Sequence, residues 1–186
     1  GVADVALGAE DYDAMVNFSG KTAVFIGLWS LPIANSLDVI ARVKEDPELR
    51  CVIITGRGKS FCAGADFKTG VQRDGGATRT LLPNERSFNM YKPFLSILSI
   101  EIPVIGALQG HAIGGGFGLA VVCDIRVANR DARYGANFTR LGIHPGMATT
   151  YILPRLVGLP RAAELLFTGR IVSGAEAAAI GIVNHA

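Results

Sequence analysis

Gln109-Gly110-His111-Ala112-Ile113-Gly114-Gly115-Gly116-Phe117-Gly118-Leu119-Ala120 is the stretch from which the fold is read. It follows a short apolar run, Pro103-Val104-Ile105-Gly106-Ala107, with the character of a buried strand, and it leads into an apolar helical pattern. Three successive glycines at such a crossing leave bare backbone, and the first N–H groups of a helix have no intrahelical acceptor. The stretch therefore suits either a tight strand-to-helix crossing or a turn that holds an oxygen bearing negative charge. A glycine run alone does not choose between them.

Outward from this stretch the pattern repeats. Arg50-Cys51-Val52-Ile53-Ile54-Thr55-Gly56, closed by Gly56-Arg57-Gly58, reads as a strand buried on both faces, and Asp124-Ile125-Arg126-Val127-Ala128 as another. Helical patterns lie between or after them: Leu37, Ile40, Ala41 and Val43 behind a Ser36 cap, then Met147–Val157, Arg161–Leu166 and Gly174–Ile180, with Gly181 as a stop. This alternation places the chain in the α/β class. Thr69–Glu85 is polar, contains Gly75-Gly76 and Pro83, and reads as a long surface loop. Near the start, Thr22–Ile26 suggests a strand and Asp11–Asn17 part of a helix, both on weaker patterns.

Composition narrows the function. At 186 residues, 49% hydrophobic and 18% charged, the chain is the size of one domain, 1–186, with a sizeable core. A net charge of +2 is too small for a protein that wraps nucleic acid, but leaves room for a small anionic ligand. Cys51, Cys62 and Cys123 are odd in number and sit in apolar sequence, which favours reduced thiols and a cytoplasmic protein over a disulfide or zinc scaffold. The apolar runs Val24–Ala34 and Ala112–Cys123 fall short of the ~18–20 residues a membrane helix needs. The first residues show no basic segment leading an apolar one, so no secretory signal is expected.

A second turn supplies the other half of a site. Gly58-Lys59-Ser60-Phe61-Cys62-Ala63-Gly64-Ala65-Asp66-Phe67 again leaves a buried strand. Small residues keep its backbone accessible, and Arg57, Lys59, Lys68 and Arg73 surround it with charge suited to phosphates. In Phe61-Cys62-Ala63-Gly64-Ala65-Asp66, and in Gly114-Gly115-Gly116 followed by Cys123-Asp124-Ile125, the sequence resembles the crotonase superfamily, or enoyl-CoA hydratase/isomerase family. Leu141-Gly142 with Pro145-Gly146, Leu153-Pro154-Arg155-Leu156-Val157-Gly158, Leu166–Gly169 and Gly181-Ile182-Val183 extend the resemblance over residues 37–186, while 1–36 match poorly.

The resemblance implies a crotonase-like spiral of β-β-α turns that binds acyl-coenzyme A, with coenzyme A part of the substrate and no further cofactor or metal. It also implies a homotrimer or a hexamer built from trimers, and a role in fatty acid metabolism. Relatives carry a further helical C-terminal region, and because the sequence stops at Ala186 that region is expected to be either truncated or missing. By motif position, the backbone N–H groups of Ala65 and Gly115 would hold the thioester oxygen as it becomes an enolate. A well-placed donor of this kind is worth about 3–4 kcal/mol of barrier. Ala63, Gly64, Asp66, Gly114, Gly116 and Phe138 would line the substrate, with Arg57 and Lys59 near the phosphates.

The two glutamates of the hydratases fall on Gly118 and Phe138, and Gly146 stands where other relatives place an acid. His144 is the remaining candidate base. His111 is read as a brace for the glycine turn, Tyr91 as helix packing with its hydroxyl at the rim, and Asp66 as a helix cap. Glu164 and Glu176 are read as solvated. The expectation is a hydratase/isomerase-like enzyme; its alternative is a non-catalytic acyl-CoA-binding or assembly subunit. A serine peptidase on a similar scaffold is disfavoured, because no nucleophile-elbow serine is evident.

Overall fold

The structure is a computed structural model that describes residues 14–18, 21–27, 36–64 and 82–186. In chain order the strands are β1 (Ala14–Phe18), β2 (Lys21–Gly27), β3 (Val52–Thr55), β4 (Ser60–Cys62), β5 (Val104–Leu108), β6 (His111–Ile113), β7 (Ile125–Ala128), β8 (Arg133–Gly135) and β9 (Val172–Ser173). The α-helices are α1 (Ser36–Glu45), α2 (Pro83–Leu95), α3 (Gly115–Val121), α4 (Thr149–Val157), α5 (Leu159–Thr168) and α6 (Gly174–Ala179), with short 3-10 turns at Ser96–Ser99 and Asn137–Leu141.

These strands build two sheets. One runs β1-β2-β3-β5-β7, parallel except for β1 against β2; the other runs β4-β6-β8-β9, with only β9 antiparallel. Consecutive strands alternate between the sheets: β3 then β4, β5 then β6, β7 then β8, with α2 and α3 closing the first two turns. Each turn thus stacks on the previous one through both sheets, which is the β-β-α spiral and the α/β class expected from sequence.

The core follows from this stacking. Val52, Ile54, Val104 and Leu108 point from β3 and β5 into one continuous cluster. Ile53, Thr55, Ile105 and Ala107 on the opposite face are only half-buried, so these strands are not enclosed on both faces, as the apolar run suggested. α3 is buried from Gly116 to Val121, as an all-apolar helix must be. Cys123 is also buried. Its burial pushes the thiol pKa from an ordinary 9.0 to about 12, with smaller opposing effects of Arg126 and Asp124. Asp124 accepts the Val104 N–H at 2.8 Å and so joins the end of α3 to the start of β5.

Three further expectations are corrected. Residues 14–17 belong to strand β1, not to a helix; pairing with β2 over Ala14↔Phe25 to Phe18↔Lys21 overrides the weak local pattern. The proposed loop 69–85 yields at its end to α2, which begins at Pro83, a residue suited to the first helical position. Glu85 accepts the Leu82 N–H at 2.8 Å there; residues 69–81 lie outside the described residues. The helix read from Met147 starts at Thr149, because Met147 (φ 56°) and Ala148 (φ 51°) both take left-handed backbone.

Candidate active site

The two glycine-bearing turns meet. β4 and β6 are parallel neighbours, Ser60 opposite His111 and Cys62 opposite Ala112, so the residues after Cys62 and after Ile113 leave the sheet side by side. Gly64 has φ +82°, and a Cβ built on it would lie 2.9 Å from the Ile113 carbonyl oxygen and 3.2 Å from the Gly115 nitrogen. Only a residue without a side chain allows that approach at that backbone angle. Gly116 is under a similar constraint: a Cβ there would fall inside the Cys62 carbonyl group. Gly114 caps α3 with φ 58° and donates its own N–H to the Gly135 carbonyl at 2.9 Å. Gly115, the first residue of α3, presents an N–H for which the helix has no acceptor.

A residue not assigned a role from sequence fixes this arrangement. Gln109 accepts the Gly56 N–H on Oε1 at 3.1 Å and donates from Nε2 to the Ser60 carbonyl at 2.8 Å. One amide thereby ties the end of β5 to both ends of the β3–β4 turn. Asn129 in turn donates to the Gln109 carbonyl at 3.0 Å. Nothing local marks Gln109, since its partners lie about fifty positions away.

Beside the converged turns lies a cavity of about 500 Å³. Its walls are Cys62, Ala63 and Gly64 from one turn, Ile113, Gly114 and Gly115 from the other, Tyr91 and Phe94 from α2, and Asn137, Phe138, Leu141 and Met147 from the segment before α4. Among the described residues no carboxylate lines it. Burial raises the Tyr91 phenol above its ordinary 10.0, so it is protonated at neutral pH.

At the three positions for which the resemblance implies acids in relatives, packing limits what this chain can hold. Phe138 is buried in the cavity wall. At Gly118 a Cβ would stand 2.2 Å from the Met147 Cβ, and at Gly146 it would stand 2.5 Å from the Tyr91 hydroxyl oxygen. Met147 and Tyr91, from elsewhere in the chain, therefore occupy the space that side chains at 118 and 146 would need.

The other candidates scatter. Ala65 and Asp66 lie outside the described residues, as do Lys68 and Arg73. Arg57 and Lys59 are exposed at the turn before β4 and do not line the cavity. His144 is exposed and is also absent from the lining. His111 is tied to the sheet and not to the glycine turn: its Nδ1 accepts the Arg133 N–H at 2.9 Å, between the starts of β6 and β8. Glu164 and Glu176 both pair with Arg170, at 2.7 and 2.6 Å, on the surface. No group of three or more histidine, cysteine, aspartate or glutamate side chains suited to a metal occurs among the described residues. Nor is any described helix long and apolar enough to cross a membrane.

Comparison with known proteins matches this geometry. A family model described as enoyl-CoA hydratase/isomerase matches residues 32–186. The chain is 39% identical over 155 residues to the enoyl-CoA hydratase domain-containing protein 2, mitochondrial, of Bos taurus, covering 83% of this chain and 51% of the relative. It is 42% identical over 151 residues to a crotonyl-CoA hydratase of Syntrophomonas wolfei, covering 79% and 55%. The chain thus spans about half the length of the curated relatives it matches. Among solved structures, an enoyl-CoA hydratase from Bacillus anthracis superposes with a TM-score of 0.78 at 33% identity, over 94% of this chain and 69% of that one.

Proposed function

Because the chain belongs to the enoyl-CoA hydratase/isomerase family, we propose that it binds an acyl-coenzyme A thioester and stabilises its enolate, with the thioester oxygen on the backbone N–H groups of Gly115 and Ala65. The observation that carries this reading is the contact of the two turns. Gly64, the residue before Ala65, approaches the Gly115 amide, which has no partner among the described residues, at the edge of a mostly apolar cavity. When an α-proton leaves the acyl group, the electron pair moves onto the thioester oxygen, and fixed N–H dipoles favour that charge without having to reorganise. Arg57 and Lys59, exposed beside the same turn, suit the coenzyme A phosphates.

The proposed chemistry is hydratase/isomerase-like but does not use two glutamates. A positioned acid or base is worth about 10²–10⁴-fold in rate, and Gly118 and Phe138 supply neither. His144 lies outside the described cavity lining, so its use as a base requires it to reach the acyl group from the surface. A second reading, a non-catalytic acyl-CoA-binding or assembly subunit, is favoured by one observation: no carboxylate lines the cavity among the described residues.

Calorimetric titration with crotonyl-CoA, followed by assays of its hydration and of enoyl-CoA isomerisation, tests both readings. Binding with turnover supports the first and binding without turnover the second. Failure to bind any acyl-CoA refutes both. Assembly into trimers or hexamers, proposed on the family resemblance, is checked by light scattering during size-exclusion chromatography.

A further inference from the structure

The cavity has few polar side chains, and one has no role in the reading above. Tyr91 reaches in from α2, beside Phe94, and its ring lies over Gly146: a Cβ on that glycine would be 2.5 Å from the hydroxyl oxygen and 2.6 to 2.7 Å from two ring carbons. The end of the ring thus packs on bare backbone, and a side chain at 146 would displace it. Its hydroxyl has no hydrogen-bond partner among the described residues, and burial raises its pKa. The phenol is therefore a donor at neutral pH and not a base. Of the other polar side chains in the lining, Cys62 is a weak donor. The Asn137 Oδ1 lies at the glycine turn, 3.2 Å from where a Cβ on Gly114 would be.

A strong donor facing a saturated hydrocarbon chain gives up hydration and gains nothing, whereas an oxygen on the chain pairs it. We propose that Tyr91 sets the specificity of this cavity: its hydroxyl donates a hydrogen bond to an acceptor oxygen on the acyl group, so that hydroxyacyl and ketoacyl thioesters are preferred to unsubstituted ones. This rests on the acyl-CoA reading above. The apolar remainder, Phe94, Ile113, Phe138, Leu141 and Met147, accommodates the carbon skeleton without distinguishing the two classes.

Calorimetry with 3-hydroxybutyryl-CoA and butyryl-CoA on the 186-residue chain tests the proposal. The expected result is about tenfold tighter binding of the hydroxylated thioester, the order of one net hydrogen bond. Tyr91→Phe should bind the two equally while keeping the ring and its packing. Gly146→Ala should lose the preference as well, since the added methyl displaces the ring while leaving the hydroxyl chemically intact. Equal binding of the two thioesters by the unmodified chain, or a preference that survives Tyr91→Phe, overturns the proposal and leaves acyl-CoA binding in place. No binding of either thioester overturns the acyl-CoA reading and this proposal with it.

Discussion

Gly118→Ala adds one methyl group at the buried centre of α3, and its cost follows from the segment packed against it. The new Cβ would stand 2.2 Å from the Met147 Cβ and 2.8 Å from its Cγ, whereas carbons rest about 3.5–4.0 Å apart. Roughly 1.5 Å of separation must therefore be found. Met147 cannot yield it by changing rotamer, because its Cβ moves only with the backbone. That backbone is fixed by two successive left-handed residues and by Thr149, whose N–H and hydroxyl both donate to the Gly146 carbonyl, at 3.2 and 2.8 Å. Overpacking of this kind costs about 1–3 kcal/mol, which for a chain of this length lowers Tm by about 2–12 °C.

Urea denaturation of Gly118→Ala, Met147→Gly and the double variant measures the effect and its origin. Met147→Gly removes the obstructing Cβ and suits the left-handed backbone, but it leaves a cavity. The double variant should recover most of the alanine penalty, giving a coupling of about 1–3 kcal/mol between the two sites. A Gly118→Ala protein within about 0.5 kcal/mol of the parent would refute the reasoning, as would an alanine penalty unchanged in the Met147→Gly background. The first result would mean that position 118 has room for a side chain, the second that something other than Met147 excludes one.

Gln109→Leu should weaken acyl-CoA binding at least several-fold and destabilise the chain by about 1–3 kcal/mol, because it leaves the Gly56 N–H and Ser60 carbonyl without their partner; calorimetry and urea melts check the two effects. Gly64→Ala should abolish binding more completely than it unfolds the protein, since the methyl strikes the Ile113 carbonyl beside the Gly115 amide at a backbone angle alanine avoids; equal affinity for crotonyl-CoA would count against the oxyanion site. In the native protein the Cys123 thiol should resist iodoacetamide at pH 8 while unfolding in urea exposes it, read by mass spectrometry. Because its folded pKa is raised, Cys123 favours the native state fully below pH 9.0, and that contribution should decline as the pH rises through about 12.

The sequence by itself determined the order of strands and helices around the two turns, the alternation that makes the fold α/β, and the glycines at 64 and 114–116. These are local matters. A run of β-branched residues favours extended backbone, and bare backbone is visible wherever side chains are missing. It also showed that Gly118, Phe138 and Gly146 carry no acid.

Only the tertiary structure decided what surrounds those positions. Met147 fills the space beside Gly118 and Tyr91 that beside Gly146, contacts that join segments 29 and 55 positions apart, with no sequence period to reveal them. It likewise turned residues 14–17 into a strand through pairing with β2, took Met147 and Ala148 out of the helix that their apolar pattern suggested, and gave Gln109 its bracing role. The reason is the same in each case. Local preference is worth a few tenths to about one kcal/mol per residue, while close packing and buried hydrogen bonds between distant segments are worth several times that.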